Sequence, residues 1–163
     1  MLFSSRSVNL ARELLAACEA RGLRLATAES CTGGLIIACL TEIPGASNVV
    51  ERGYVTYDNR AKEEELGVPA ALLEQVGAVS EEVAAAMAKG ALARAEVSLA
   101  IATTGIAGPS GGTPTKPVGL VHIAIASRLH GIRHERHLLT GDRTTIRLAT
   151  VDAALALALQ SLA

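Results

Sequence analysis

Ser30 stands in Leu25-Ala26-Thr27-Ala28-Glu29-Ser30-Cys31-Thr32-Gly33-Gly34-Leu35-Ile36-Ile37, where a short apolar run ends in four reactive or polar residues, two glycines follow, and an apolar helical pattern begins. That is the pattern of a strand, a tight turn and a helix. Free backbone N–H groups gather where a helix starts. A serine nucleophile requires such donors for its oxyanion, and here Thr32, Gly33 and Gly34 would supply them. The same residues also fit an N-cap serine or a phosphate-binding turn. The nucleophilic reading further demands a base, because a serine hydroxyl is un-ionised at neutral pH.

Two kinds of base, a lysine and the histidines, are open to it, and one rival nucleophile stands beside it. Lys62, in Tyr57-Asp58-Asn59-Arg60-Ala61-Lys62, follows a second predicted strand. A lysine desolvated in a pocket loses proton affinity and can act as a base. The competing reading is a solvated helix face, since Glu63, Glu64 and Glu65 follow directly. Cys31 is a rival nucleophile that would need a depressed pKa. The histidines, His122, His130, His134 and His137, all fall late in the chain on or near a predicted hairpin, and they read as structural or surface residues. A Ser-His-Asp triad therefore has no support in the pattern. The stretch Thr103-Thr104-Gly105-Ile106-Ala107-Gly108-Pro109-Ser110-Gly111-Gly112 leaves a buried-looking strand, and its glycines allow backbone N–H groups close to an anion. It lacks the lysine of a P-loop and the following helix of a dinucleotide fingerprint. Arg143, at the start of the last predicted helix, can meet a phosphate there. A plain connector and a surface arginine remain the alternatives for these two.

The elements that would position these residues read as follows. Helices are expected over 8–20, 32–42, 59–66, 70–76, 81–95 and 144–162, with Ser80 and Asp142 as N-caps and Gly22 ending the first. Strands are expected over 24–28, 49–57 with a bulge at Gly53, 97–103, 119–127 and 132–139, the last two joined by the His130-Gly131 turn. Helices interleaved with buried strands and closed by a hairpin give a three-layer α/β/α sandwich on a mixed, mostly parallel sheet. At 163 residues, half of them apolar, the chain suits one domain, residues 1–163.

Composition excludes several classes. A net charge of −1 and an aromatic content of 2% argue against a nucleic-acid surface. No apolar run reaches the ~18 residues that span a bilayer. Three cysteines without a Cys-x-x-Cys pair, and no signal-peptide pattern, lead to the expectation of a cytoplasmic protein.

Seven stretches in one order carry a resemblance across nearly the whole chain: Ala28 to Gly34, Glu51 to Tyr57, Asn59 to Lys62, Gly77 to Ser80, Gly105 to Pro109, Lys116 to Gly119 and Gly141 to Arg143. They resemble the nicotinamide mononucleotide amidase family, also known as the CinA C-terminal domain. The resemblance implies an α/β/α sandwich and hydrolysis of the nicotinamide mononucleotide carboxamide to nicotinate mononucleotide and ammonia. It implies no metal and no cofactor, a small-molecule nucleotide as partner, and self-association. By position, Ser30 matches the family's nucleophile and Lys62 its activating lysine. Tyr57 and Thr104 match polar residues around that pair. Gly105, Ile106, Ala107, Gly108 and Arg143 would hold ribose and phosphate, Thr32, Gly33 and Gly34 the oxyanion, and Asn59 belongs with these oxyanion- and substrate-binding residues. Ser110 departs from members with an acidic residue there, and the pyrophosphatase-like domain of many members has no counterpart in these residues. Two other classes compete: a silent binding or regulatory module linked to competence or DNA damage, and an amidase for another amide.

Overall fold

The computed structural model describes residues 2–163. Within them the order is α1 (Ser5–Ala20), β1 (Leu25–Glu29), α2 (Leu35–Thr41), β2 (Val50–Val55), α3 (Asn59–Leu66), α4 (Ala70–Val76), α5 (Glu81–Arg94), β3 (Leu99–Gly105), β4 (Leu120–Ser127), β5 (Gly131–Leu138) and α6 (Arg143–Gln160). Ser80 and Asp142 cap α5 and α6 as expected, accepting from the Val83 and Thr145 N–H groups. Helix α1 starts three residues earlier than its apolar spacing suggests, because Ser4 accepts from the Ser7 N–H.

Two expectations are corrected. Helix α2 begins at Leu35 rather than Thr32: Gly33 and Gly34 have φ of 58° and 97°, left-handed values that no right-handed helix contains. The bulge in β2 lies at Glu51, not Gly53, since Leu25 pairs with Val50 and Ala26 with Arg52, after which Gly53 pairs regularly with Thr27. Gly53 is glycine for room. A Cβ there would lie 2.8 Å from Thr27 Oγ1 and 3.1 Å from Ile37.

The sheet order is β2-β1-β3-β4-β5, with β1 parallel to both neighbours and the β3–β4 and β4–β5 pairs antiparallel. Alternation along the central strands sorts their side chains. Leu25, Leu99, Ile101, Ile123 and Ile125 join the core under α1, α2 and α6, where Leu14, Ile36, Leu40, Ile146 and Leu155 meet them. Ala28, Ala100, Ala102, Ala124 and Ala126 face the other way, and the small residues of α5 come close to them. The result is an open α/β/α sandwich of three layers.

This second face places α3. At Gly90 of α5 an added Cβ would lie 2.0 Å from the Leu66 carbonyl oxygen at the end of α3, so the glycine sets how deeply α3 seats. Gly90→Ala is expected to cost about 1–3 kcal/mol in urea unfolding, the usual range for overpacking. It should also displace α3 and the lysine that α3 carries.

Candidate active site

The parallel strands β1, β2 and β3 end at one edge of the sheet. Strand β1 is where the winding reverses, since β2 lies on one side of it and β3 on the other. Open α/β sheets leave a crevice at such a point. Here it receives the turn after β1, the segment after β2, the end of β3, the approach to α5 and the first turn of α6.

The turn after β1 is organised by Glu29, which has no exposure. Its carboxylate accepts from Thr32 Oγ1 at 2.7 Å, Thr27 Oγ1 at 3.2 Å and the N–H groups of Ile36 and Ile37 at 2.8 and 3.0 Å. Ser30 donates its N–H to the Thr103 carbonyl and accepts at its own carbonyl from the Gly33 N–H, each at 3.0 Å. Arg147 of α6 binds the carbonyls of Cys31 and Thr32 at 3.0 and 3.1 Å. Glu29 and Arg147 received no role from the sequence. A readable signal existed for Glu29, an acid closing an apolar strand just before a helix whose first N–H groups need acceptors. None existed for Arg147.

Lys62 is 1% exposed. It shares the inward side of α3 with Leu66, four residues on, while Glu63, Glu64 and Glu65 turn outward. Its Nζ lies 3.1 Å from Ser30 Oγ, 2.9 Å from the Thr56 carbonyl and 3.0 Å from the Tyr57 carbonyl. Desolvation holds the amine below the ordinary lysine pKa, partly opposed by Asp58 and Cys31. Burial has the reverse effect on the neighbouring thiol: the Cys31 pKa is pushed up to about 12, desolvation being the largest cause. The serine thus has beside it an amine of lowered proton affinity, and the thiol is held in its protonated form.

A cavity of about 200 Å³ opens over this pair. Of the residues expected from sequence, Ser30, Tyr57, Asn59, Lys62, Thr104, Gly105, Ala107 and Arg143 line it, joined by Cys31, Ala78 and Val79. Thr104 Oγ1 donates to the Ala78 carbonyl at 2.9 Å, tying the approach to α5 to the end of β3. Arg143 donates to the Gly108 carbonyl at 2.8 Å and to the Tyr57 hydroxyl at 3.1 Å. Thr32, Gly33, Gly34, Ile106 and Gly108 are not part of the lining. Gly33 faces Arg147, Gly34 faces Val55, and Ile106 is spent on backbone bonds to Leu120 and Gly119. The histidines stand elsewhere, with His122 and His134 stacked on the hairpin, their ring nitrogens 2.9 Å apart.

The burial of Lys62 has a sign that can be checked. Its folded-state pKa lies below the unfolded value of about 10.4, so between the two the unfolded chain binds more protons and parent stability rises with pH. Lys62→Met removes that titration. The stability difference, parent minus variant, should grow as pH rises through this window and level off above it, as read by chemical denaturation at several pH values.

The model of the CinA C-terminal domain family matches residues 7–162. A CinA-like protein of Syntrophus aciditrophicus is 48% identical over 135 residues, 83% of this chain and 32% of that protein. Another, from Anaeromyxobacter sp. strain Fw109-5, is 47% identical over 154 residues, 94% of this chain and 37% of that protein. The chain spans about a third of the length of these curated relatives. Among solved structures, competence/damage inducible protein CihA from Agrobacterium tumefaciens matches with a TM-score of 0.97 at 48% identity, covering 99% of this chain and 98% of that one. A CinA superfamily protein from Enterobacter cloacae matches with a TM-score of 0.92 at 32% identity, covering 96% and 92%. No helix among the described residues is long and apolar enough to cross a membrane. By sequence over almost its full length, and by fold, the chain belongs to the CinA C-terminal domain family.

Proposed function

We propose that the protein hydrolyses the carboxamide of nicotinamide mononucleotide, releasing ammonia and nicotinate mononucleotide through a Ser30 acyl-enzyme. The observation that carries the reading is the buried Lys62 amine 3.1 Å from Ser30 Oγ, at a cavity opening on the sheet edge. A neutral amine has two N–H donors and one lone pair. The Thr56 and Tyr57 carbonyls accept the two donors, and the lone pair is left for the Ser30 hydroxyl proton. After transfer the ammonium has three donors and the same three partners. The proton therefore moves without rearrangement of the site.

In the first half-reaction Ser30 Oγ bonds to the amide carbon as its proton passes to Lys62. The tetrahedral intermediate then breaks its C–N bond, and Lys62 returns the proton to the departing nitrogen, which leaves as ammonia. In the second half-reaction water adds to the nicotinoyl ester while Lys62 takes its proton. The C–Oγ bond breaks, and the proton goes back to Ser30.

Arg143 places a fixed cation on a cavity lining that carries no carboxylate, which suits a substrate with an anionic end. Arg143 sits at the mouth with Tyr57 and has guanidinium donors beyond the two it spends there, suiting it to the phosphate. The substrate's pyridinium makes its carboxamide carbon more electrophilic and, held near Lys62, favours the neutral amine.

Ammonia release from nicotinamide mononucleotide tests the reading. Ser30→Ala should abolish it, and Lys62→Ala should lower kcat by about 10²–10⁴-fold, the usual contribution of a general base. In the parent, kcat/KM should rise with pH through a base pKa below the ordinary lysine value. Arg143→Ala should raise KM for the nucleotide about tenfold or more, the scale of a lost charge-assisted hydrogen bond, and leave the phosphate-free riboside nearly unaffected. Activity surviving in Ser30→Ala would overturn the mechanism. A folded parent without activity would leave a binding module or an amidase for another amide.

A further inference from the structure

We infer that Arg147, outside the cavity, is a positioning residue that aims and polarises the Cys31 N–H as the oxyanion donor of this site. The inference rests on Ser30 as the nucleophile. It follows from tracing two peptide groups of the turn, both trans, in which each C=O points opposite to the N–H across its own C–N bond.

The Arg147 guanidinium donates to the carbonyls of Cys31 and Thr32. With the Thr32 carbonyl held toward α6, the Gly33 N–H across the same peptide points the other way, where it donates to the Ser30 carbonyl at 3.0 Å. The Ser30 carbonyl is thereby held toward Gly33, and the Cys31 N–H across that peptide points away from the turn. Cys31 lines the cavity beside Ser30, and its N–H donates to no backbone acceptor among the described residues. Of the other N–H groups of the turn and the start of α2, Gly33 is engaged by Ser30, Leu35 by Thr32, and Ile36 and Ile37 by Glu29, while Thr32 and Gly34 belong to residues outside the cavity lining. Glycine at position 33 leaves room for this, since a Cβ there would stand 3.0 Å from Arg147 Nη2.

A fixed positive charge thus heads a row of aligned dipoles: guanidinium, Thr32–Gly33 peptide, Ser30–Cys31 peptide. Hydrogen bonds in series polarise one another. The last N–H in the row adjoins the nucleophile, where oxyanion donors are needed. A clamp that only fixed α6 to the turn would need none of this alignment. Arg147 touches no reacting atom, so its effect reaches the chemistry through the Cys31 N–H.

The test uses Arg147→Met and Arg147→Lys in the full chain. Active sites are counted by a fluorophosphonate that labels Ser30, and thermal unfolding serves as the control for folding. Two quantities are compared per active site: kcat for nicotinamide mononucleotide, and the affinity of pyridine-3-boronic acid, which forms a tetrahedral anionic adduct on a serine. Removing an oxyanion donor outright costs about 10²–10³-fold in kcat. Misaiming one should lower kcat in Arg147→Met by about ten- to a hundredfold, leave KM within about threefold, and weaken boronate binding by the same factor as kcat. Arg147→Lys should fall between the variant and the parent. If Arg147→Met loses active sites or stability while the remaining sites keep parental kcat and boronate affinity, the residue is only a clamp and the inference fails. A parent that binds boronate without deamidating the nucleotide would refute the substrate assignment, and the boronate ratio would still decide Arg147. A parent inert to both probes would refute Ser30 as nucleophile and the inference with it.

Discussion

A carboxylate sealed from solvent at the end of the central strand is the constraint on which the site depends. Glu29 accepts from two hydroxyls and two backbone N–H groups, so its oxygens are occupied by the protein alone. A buried acid left short of partners is costly, and the turn that follows is shaped by meeting that demand. Helix α2 must present its first N–H groups to the acid, which delays its start to Leu35. Thr32 must fold back over the acid, and in doing so it contacts Thr103 of β3 at 2.9 Å. Thr27 must keep its hydroxyl toward the acid, which leaves no space for a side chain at Gly53 on the neighbouring strand. Ser30 lies between the acid and Thr32, one of its partners, so the turn that satisfies Glu29 also carries the serine.

The second requirement is a buried amine that stays useful. Burial alone would make Lys62 a poorly satisfied group. The turn of chain between β2 and α3 answers that with two carbonyls, from Thr56 and Tyr57. Both partners are backbone, so the cradle depends on the path of the chain more than on side chains. That path is set by Asp58, whose side chain accepts from the Arg60 N–H and starts α3. The same desolvation acts oppositely on two neighbours, lowering the proton affinity of Lys62 and raising that of the Cys31 thiol. A shared environment therefore gives the amine and the thiol opposite shifts.

Much of this was legible in the residues. The alternation Leu99-Ala100-Ile101-Ala102 and Ile123-Ala124-Ile125-Ala126 marks strands with unlike faces, and Ser80 and Asp142 mark helix starts by chemistry that acts within four residues. Ser30, Lys62 and Arg143 are brought to one cavity because strand ends share an edge, which the order of elements already implies. What could not be read depends on distances through space. Gly53 looks like a bulge until Thr27 and Ile37 are placed beside it. Arg147 is one basic residue among 15, and only the crossing of α6 behind the turn singles it out. The oxyanion donors assigned to Thr32, Gly33 and Gly34 followed from treating the glycines as a helix start, whereas both glycines have left-handed backbone and none of the three residues lines the cavity.

The bonds of Glu29 join residues within eight positions of one another, while its strand pairs with a β3 that begins 70 residues later. The two parts of the site therefore mature on different schedules. Local contacts close early and distant pairings late, so the bonds of Glu29 can form while β1 still lacks one of its two neighbours. The wall made by Thr104 arrives with β3, and the guanidinium at Arg143 and the clamp at Arg147 only with α6. Until β3 and α6 are in place, the Ser30 N–H lacks its Thr103 acceptor and the Cys31 and Thr32 carbonyls lack Arg147.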